Sequence, residues 1–245
     1  NGFKRLNLLT ELLYQNDSYL KEFEAKILEI RANGILLDRT VFHPVSGGLD
    51  SDRGIIKYGK LEYNVVQAYF ESEDNVWHIL DGKPEFDVGK TVMGIIDWER
   101  RYRLMKLHTA SHILSSIMFN KYGALITGGH IDVYHAKDDF SLESSERSIF
   151  EEVVEETNKV IKNCLDVKIY FLEREKALNI PGIIKLAQRT PPNIKFLRIV
   201  EIPGIDIQAD GGPHVKNTRE IGGIALEKVE NKGRGRKRIY YKLKE

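Results

Sequence analysis

The spacing of apolar residues changes near residue 97, and this change limits the possible folds more than any other feature of the sequence. Before it, apolar residues form short runs rich in β-branched and aromatic side chains, such as "IIKYGKLEYNVVQAYF" and "NVWHIL". After it, "DWERRYRLMKLHTASHILSSIMFNKYG" spaces its apolar residues three to four apart and ends in Gly123. That spacing predicts an amphipathic helix of about 20 residues. We therefore predict a mostly-β domain at residues 1–97 and an α+β domain at residues 98–245.

Shorter patterns predict the elements inside these two domains. In "EFEAKILEIRANGILLDRTVF", the sequence Ala32-Asn33-Gly34 separates two apolar runs, which predicts a β-hairpin with its turn at Asn-Gly. The first domain then resembles a small barrel or curled sheet. In the second domain we predict a helix near residues 147–163 and a short helical piece at "EREKALN". Strands are predicted at "IDVYHAKDDFSLE", "VKIYFLE", "IKFLRIVEI", "GGIALEKVEN" and "RKRIYYKLKE".

Composition excludes several classes of protein. Hydrophobic residues make up 42% of the chain and charged residues 30%, which excludes disordered, fibrous and low-complexity proteins. The net charge is only +1, so a nucleic-acid partner has to be argued from local clusters. No apolar run reaches roughly 18 residues and no secretory signal is recognisable, so we expect a cytoplasmic protein without membrane contact. The single cysteine, Cys164, is expected to be buried and without a chemical role.

Two histidines on the long predicted helix are the first candidate metal ligands. His108 and His112 lie four residues apart in "LHTASHIL", so both imidazoles point to one face of the helix and can reach one ion. Alone, this spacing is a weak signal, because paired histidines on a helix are more often solvated or packed. Thr109 stands where a zinc peptidase has the glutamate that acts as general base, which argues against a peptidase.

A second candidate pair lies about one hundred residues further along the chain. Asp210 and His214 are four residues apart in "IDIQADGGPHVKNTREIGG", within a Gly-Gly-Pro turn between strand-like segments. A carboxylate and an imidazole on such a loop could complete a tetrahedral zinc shell. Taken alone, an Asp that caps backbone amides and an exposed His explain the segment equally well. The two pairs together indicate a zinc site more strongly than either pair does.

Four motifs, in a fixed order, resemble those of a known family. "LHTASHIL" and "GIDIQADGGPHVKNTREIG" resemble the paired zinc motifs of the alanyl-tRNA synthetase editing domain and of its freestanding relatives, the AlaX-type trans-editing proteins. "LDRTVFHPVSGGLDSDRG" is similar to the glycine-rich motif of the longer AlaX proteins, and "ITGGHIDVYHAKDDFSLE" to the family's substrate-pocket segment. The resemblance covers nearly the whole chain. It implies an α+β fold, with a small N-terminal β-barrel-like domain and an α/β-sandwich editing domain of the threonyl/alanyl-tRNA synthetase type.

The function that this resemblance implies is zinc-dependent deacylation of mischarged tRNA. Such an enzyme acts in trans and without ATP on tRNA(Ala) charged with serine, and secondarily with glycine, since the synthetase pocket cannot strongly reject a near-isostere that adds one hydroxyl. Zn²⁺ held by His108, His112 and His214 can polarise the ester carbonyl or lower the pKa of a bound water. The implied partner is charged tRNA(Ala), and neither DNA nor a membrane.

Two departures from the family pattern affect the predicted site. Asp210 stands where the family commonly has a cysteine ligand, and it either binds zinc or hydrogen-bonds a histidine and leaves the fourth position to water. His130 stands where related pockets carry glutamine. It either keeps the hydrogen-bonding role, shuttles a proton or is an exposed loop residue. Substrate contacts are also assigned to Thr127, whose hydroxyl could bond that of serine, and to Gln208.

Two basic clusters are candidates for contacts with tRNA phosphates. One lies in "ERRYRLMK", and the other in the last twenty residues, which hold eight Lys or Arg and three Glu. A solvated basic surface explains each cluster equally well. The candidates are Arg100, Arg101, Arg103, Lys106, Lys232, Arg234, Arg236, Lys237 and Arg238. The loop at Gly47 and Gly48 lacks the ending of a P-loop and is retained only as a contact candidate.

Two further functions remain open from the sequence. If Asp210 closes a four-ligand shell, the zinc is structural and the protein is a non-catalytic tRNA-binding module. The changes at Asp210 and His130 also permit a zinc hydrolase of another small acyl ester. The remaining histidines that we considered, His43, His78 and His135, are expected to be structural.

Overall fold

The structure is a computed structural model that describes residues 10–72, 75–144, 146–181, 183 and 194–244. The chain forms two compact units, which divide between Tyr102 and Arg103. This division falls inside the long helix, five residues after the predicted boundary at 97/98. Strands and helices occur in the mixture that the sequence predicts, so the α+β class is confirmed. None of the described helices combines the length and the apolar character that a membrane crossing requires.

The first unit contains a closed six-stranded barrel. Its elements are β1 (Glu11–Leu12), α1 (Leu13–Asn16), β2 (Glu22–Arg31), β3 (Gly34–Leu37), β4 (Arg39–Thr40), β5 (Gly54–Tyr58), β6 (Leu61–Ser72), β7 (Asn75–Leu80) and β8 (Thr91–Ile96). The strand order around the barrel is β2-β3-β7-β6-β5-β8, with antiparallel pairing throughout. In strand β2, Phe23, Ala25 and Ile27 are buried and the residues between them are exposed. This alternation is typical of a strand with one face on the barrel interior and the other in solvent.

The predicted hairpin is confirmed, but its turn lies one residue earlier than expected. Arg31 pairs with Gly34, so the two turn residues are Ala32 and Asn33, and Gly34 is the first residue of β3. Ala32 adopts the positive φ of 50° that the tight turn requires. The strand β8 was not among the predicted elements.

Two of the buried polar side chains in the first unit, His78 and Arg101, have hydrogen-bond partners that explain their burial. The ring of His78 is fully buried between the Thr40 hydroxyl, 2.8 Å from Nε2, and the carbonyl of Ile35, 3.4 Å from Nδ1. Burial lowers the pKa of His78 to about 4, so the ring is neutral. Arg101 forms an ion pair with Asp52, and neither side chain is more than 1% exposed. The guanidinium also donates to the carbonyls of Ser18 and Val41.

The second unit combines two antiparallel sheets with helices. Its elements are the greater part of α2 (Trp98–Tyr122), β9 (Ile126–Ile131), β10 (Ala136–Phe140), α3 (Arg147–Lys162), β11 (Lys168–Glu173), α4 (Arg174–Leu178), β12 (Phe196–Ile202), β13 (Asp206–Ala209), a 3-10 turn at Thr218–Ile221, β14 (Ile224–Asn231) and β15 (Lys237–Leu243). One sheet has the order β14-β15-β10-β9, and the other has the order β11-β12-β13. The strand β13 and the 3-10 turn were not predicted.

Helix α2 touches both sheets of this unit and thereby positions the site. Ser111 donates to Asp138 of β10, and the ring of His112 lies 3.0 Å from a carboxylate oxygen of Asp206 of β13. The helix ends as predicted, because Gly123 takes a φ of +62° and donates its N–H to the carbonyl of Phe119.

The prediction that Cys164 is buried is wrong. The residue is exposed and follows the end of α3 with a φ of +53°, in the left-handed position that closes many helices. The expectation rested on the usual burial of free cysteines, but α3 ends at Lys162 and Cys164 lies in the exposed turn that follows it.

Candidate metal centre

Four side chains from two separate segments of the chain converge in the second unit. His108 and His112 come from α2, and Asp210 and His214 come from the loop after β13. One ligand atom from each side chain lies within 4.8 Å of the other three. The imidazole centroids of His108 and His214 are 4.2 Å apart, and those of His112 and His214 are 4.6 Å apart. The structure thus brings together all four side chains that the sequence selected as candidate ligands.

The three imidazoles are each anchored through Nδ1. For His108 the partner is the Pro213 carbonyl at 3.3 Å, and for His112 it is the Asp206 carboxylate at 3.0 Å. Both of these oxygens can only accept, so Nδ1 carries the hydrogen in both rings. This anchoring leaves each Nε2 turned toward the centre of the cluster.

The third ring, His214, is anchored by a hydroxyl. Nδ1 of His214 lies 3.1 Å from Oγ1 of Thr109, and this hydroxyl already donates its hydrogen to the carbonyl of Met105 at 2.9 Å. Thr109 therefore accepts from Nδ1–H of His214, and it also accepts from the backbone N–H of Val215. Partners of this kind fix the tautomer and orientation of metal-ligating histidines.

The carboxylate of Asp210 lies on the Nε2 side of all three rings. One oxygen is 3.5 Å from Nε2 of His108 and 3.7 Å from Nε2 of His112, and the other is 3.3 Å from Nε2 of His214. The anchoring partners lie on the opposite, Nδ1 side. The sequence left two roles open for Asp210, metal ligand or hydrogen-bond partner of a histidine. A position on the Nε2 side is the one expected of a ligand.

The loop that carries Asp210 is held tightly. The guanidinium of Arg198 donates to the carbonyls of Asp210 at 2.9 Å and Gly212 at 2.8 Å. The N–H of Gly212 donates to Oδ1 of Asp210 at 2.7 Å. Glycine is required at 212, because a Cβ there would lie 2.6 Å from Cε1 of His108.

The electrostatics of the cluster favour a bound cation. Burial opposes protonation of His112, but the hydrogen bonds and charges of Asp206 and Asp210 outweigh it and raise the pKa of His112 to about 9. Burial lowers the pKa of His214 well below its usual value, and the charges of His108 and His112 add to that effect. For Asp210, burial is overcome by the charge of His108 and the hydrogen bonds of all three histidines, so its pKa lies well below the usual range. The buried carboxylate of Asp206 and the partly buried carboxylate of Asp210 thus share a small space with the three rings.

The donor set fits a divalent transition metal. Three imidazole nitrogens with their hydrogens directed outward and one carboxylate make a mixed nitrogen and oxygen set, which suits Zn²⁺ and is unlike the all-oxygen sets of Mg²⁺ and Ca²⁺. A metal ion would compete with the proton on His112, so its binding would release that proton.

The residues predicted to contact the substrate have three different placements. Thr127 lies exposed on the edge strand β9. Gln208 is buried, and its amide donates to Asp206 at 3.0 Å, so it supports the anchor of His112. Whether either residue contacts a substrate stays a prediction.

His130 lies on β9, one residue after the position that faces α2. Gly129 is the cross-strand partner of Asp138, whose side chain reaches Ser111 on α2. Side chains alternate along a strand, so His130 points to the opposite face. Gly129, and not His130, therefore lies against Asp138, and whether His130 contacts a substrate stays a prediction.

The basic cluster at the start of α2 is engaged in internal contacts. Arg101 is fully buried against Asp52, so the prediction of a phosphate contact is wrong for this residue. The side chain of Arg100 is 11% exposed and pairs with Asp50. Arg103 donates to the carbonyl of Val133 at 2.9 Å. Lys106 is half-buried, and burial lowers its pKa.

The C-terminal basic cluster divides into two groups. Lys237 is buried and donates to the carbonyl of Gly233, so the prediction of a phosphate contact is also wrong there. Arg238 makes a bidentate pair with Asp139, at 2.5 and 2.9 Å. Three candidates stay exposed at the turn between β14 and β15, namely Lys232, Arg234 and Arg236. We call these three residues the basic turn.

The glycine loop of the first unit has a structural explanation. Ser46 and Leu49 exchange backbone hydrogen bonds across Gly47 and Gly48, whose φ values are +59° and +86°. Two successive positive φ values define a tight turn that favours glycine at both positions. A role in tRNA contact stays a prediction.

Three residues near the cluster were not predicted from the sequence, and two of them anchor candidate ligands. Thr109 was considered only because it stands where a zinc peptidase has its catalytic glutamate. In the structure, its hydroxyl anchors the ring of His214. Asp206 lies in the strand that was not predicted, and its position four residues before Asp210 is the only signal that could have identified it. Asp138 is buried beside α2 and hydrogen-bonds Ser111.

Fold and site together define an α+β protein with a candidate site for one divalent metal ion. A family model described as "Threonyl and Alanyl tRNA synthetase second additional domain" matches residues 197–240, and one described as "tRNA synthetases class II (A)" matches residues 9–100. The chain is 54% identical to the alanyl-tRNA editing protein AlaX-M of Saccharolobus solfataricus, over 96% of this chain and 100% of that protein. It is 39% identical to AlaX-M of Methanosarcina mazei, over 96% of this chain and 97% of that protein.

The chain therefore belongs to the AlaX-M family of alanyl-tRNA editing proteins. The resemblance carried by the sequence motifs is confirmed. A longer relative is the alanine–tRNA ligase of Ignicoccus hospitalis, which is 34% identical over 89% of this chain and 24% of its own length. The similarity to the ligase thus covers one part of a larger enzyme.

Proposed function

We propose that the chain is a zinc-dependent deacylase that hydrolyses mischarged aminoacyl-tRNA in trans, chiefly Ser-tRNA(Ala) and secondarily Gly-tRNA(Ala). The observation that carries the proposal is the cluster of three anchored imidazoles around Asp210, in a chain of the AlaX-M family. Hydrolysis of an ester requires no ATP. Because charged tRNA is used in translation, we also propose a cytoplasmic location.

In this proposal the zinc ligands are His108, His112, His214 and Asp210. When bound, zinc supplies Lewis acidity for attack on an acyl ester. The chain's own contribution is positional: the Pro213 carbonyl, Asp206 and Thr109 hold the three rings so that each Nε2 faces inward. We also propose that residues 103–245 have the α/β-sandwich fold of the threonyl/alanyl-tRNA synthetase editing domains, which the family match at residues 197–240 supports.

Selection of the substrate depends on two other regions. Thr127 is exposed on the same strand as Gly129, where its hydroxyl can accept or donate a hydrogen bond to a seryl side chain. A site that hydrogen-bonds the seryl hydroxyl rejects alanine, the correctly attached amino acid, because alanine lacks this hydroxyl. The basic turn is the charged surface that we assign to tRNA phosphates.

A second candidate function has an observation in its favour. Asp210 faces all three Nε2 atoms, so four protein donors could close the shell around zinc, as they do in structural sites. The protein would then be a non-catalytic module that binds tRNA.

A deacylation assay decides between these functions. Purified protein prepared with zinc is incubated with Ser-tRNA(Ala), Gly-tRNA(Ala) and Ala-tRNA(Ala), alongside a panel of small acyl esters. We expect release of serine, loss of that release on chelation or in His108→Ala, and no loss in the control His135→Ala, a partly exposed histidine in the β9–β10 turn. Binding of tRNA without turnover would support the non-catalytic module. Turnover of small esters alone would support a different hydrolase.

A further inference from the structure

A buried carboxyl group lies beside the metal cluster and has no part in holding the candidate ligands. Asp138 of β10 is 3% exposed. Its Oδ2 accepts hydrogen bonds from the hydroxyl of Ser111 at 2.9 Å and the hydroxyl of Tyr241 at 2.7 Å. These two donors come from α2 and β15, so the carboxyl group is fixed from two sides.

The helical position of Ser111 places Asp138 next to His108. Successive residues of an α-helix are rotated by about 100°, so Ser111 lies about 60° from His108, on the side away from His112. Asp138 is therefore adjacent to the cluster but not within it. Burial raises the pKa of Asp138, while the hydrogen bonds from Tyr241 and Ser111 and the charge of His108 oppose that rise.

The second oxygen of Asp138 lies beneath an exposed backbone position. A Cβ at Gly129 would lie 2.9 Å from Oδ1, and Gly129 is exposed to solvent. Among residues 10–72, 75–144, 146–181, 183 and 194–244, both hydrogen bonds of this carboxyl group reach Oδ2 and none reaches Oδ1. Glycine at 129 thus opens a path from the β9 surface to an oxygen that retains its lone pairs.

The chemistry of this oxygen selects a compact cation. A fixed carboxylate in a low-dielectric environment binds a charged donor strongly and gains little from a neutral one. A guanidinium would need both oxygens for a bidentate pair, and Oδ2 is already occupied. A single carboxylate is also too few ligands for a further metal ion. A primary ammonium group, which needs only one strong acceptor, is the remaining class.

We propose that Oδ1 of Asp138 binds the α-ammonium group of the aminoacyl ester. The inference rests on the proposed deacylase function. In that setting the ammonium is one carbon from the reacting carbonyl, and Asp138 is adjacent to His108. The contact makes the free amino group a requirement, so esters of N-acylated amino acids, including peptidyl-tRNA, are poor substrates.

The test uses probes that cannot be hydrolysed, so that it does not depend on turnover. The first probe is adenosine bearing serine through a 3′-amide in place of the ester. The second carries a hydroxyl in place of its α-ammonium, and the third is N-acetylated. Their affinities for the zinc-containing protein are measured by titration calorimetry for the unmodified chain, Asp138→Asn and Gly129→Ala. The matched control is Asp132→Asn, which makes the same chemical change in the turn that follows β9.

The unmodified chain is expected to bind the ammonium probe about 10- to 100-fold more tightly than the other two, as expected for a hydrogen bond to a charged group. Asp138→Asn should reduce this ratio to within about threefold, and Asp132→Asn should preserve it. Gly129→Ala, which keeps both bonds to Oδ2 and crowds Oδ1, should also reduce the ratio and serves as the test if Asp138→Asn does not fold. Equal weakening of all probes, or an unchanged ratio, would overturn the proposal.

Turnover gives an independent readout. In Asp138→Asn, kcat/KM for Ser-tRNA(Ala) should fall about 10- to 100-fold, while that for the tRNA ester of the corresponding hydroxy acid should change less than about threefold. Absence of turnover in every variant together with a retained probe ratio would refute the deacylase function alone. Turnover with no dependence of the ratio on Asp138 would refute the ammonium contact alone.

Discussion

Replacing Thr109 by valine should weaken the metal centre without changing any candidate ligand. The two side chains have nearly the same shape, but valine lacks the hydroxyl that accepts from Nδ1–H of His214 and from the N–H of Val215. Both donors are then buried without an acceptor. Each such loss costs about 1–3 kcal/mol. We therefore expect the free energy of unfolding of the metal-free protein to fall by about 2–6 kcal/mol.

The matched control is Thr157→Val on α3. The hydroxyl of Thr157 is also fully buried and also donates to the carbonyl four residues earlier, at 2.8 Å. Among the described parts of the chain, however, no group donates to Thr157. Its replacement therefore leaves no buried donor without an acceptor. We expect the free energy of unfolding to fall by less than about 1 kcal/mol.

Two measurements check this reasoning. Urea unfolding of the metal-free proteins gives the difference in stability between the two variants. Competition with a chelating dye gives zinc affinity, which we expect to be about 10- to 100-fold weaker in Thr109→Val and unchanged in Thr157→Val, because only the first variant frees the ring of His214. Equal destabilisation of both variants, or a zinc affinity within twofold of the unmodified chain, would refute the assigned role of Thr109.

Three further outcomes follow from the described contacts. Arg101→Met leaves Asp52 buried without its cation and should destabilise the barrel unit by about 3–5 kcal/mol in urea unfolding. The double variant with Asp52→Leu should recover most of that loss. A double variant as unstable as the single one would contradict the buried pair. The folded pKa of His78 is about 4 and lies below the unfolded value of 6.5, so the unfolded chain gains a proton first as pH falls. Stability should therefore drop by about 3 kcal/mol from pH 6.5 to 4, and His78→Gln should flatten this part of the profile, while an unchanged profile would contradict a neutral buried ring. Removing two charges of the basic turn, with Arg234→Ala and Arg236→Ala, should reduce the salt slope of tRNA binding by about two, and an unaltered slope would exclude this turn from the phosphate contacts.

Local pattern was sufficient to predict the helix and the pair of histidines that it contributes to the cluster. The separation of four in His108 and His112 determines that both rings lie on one helix face, whatever the rest of the fold. The loop residues Asp210 and His214 could be joined to that pair only through the resemblance to a family, because no periodicity links segments one hundred residues apart.

Register and tertiary contacts explain what the sequence could not predict. A shift of one residue along β9 decides whether His130 or Gly129 faces α2, and pairing with β10 sets this register. The burial of Arg101 depends on Asp52, which lies 49 positions earlier in the chain. A charge cluster in the sequence does not show which of its members find such partners.

The order of synthesis has a consequence for how the proposed metal centre would acquire an ion. His108 and His112 emerge from the ribosome about one hundred residues before His214, a delay of roughly 5–20 s at 5–20 residues per second. During that interval an incomplete pair of imidazoles can hold a metal only loosely. In the proposed metal centre, tight capture of the ion must therefore wait until the segment that carries Asp210 and His214 has been made.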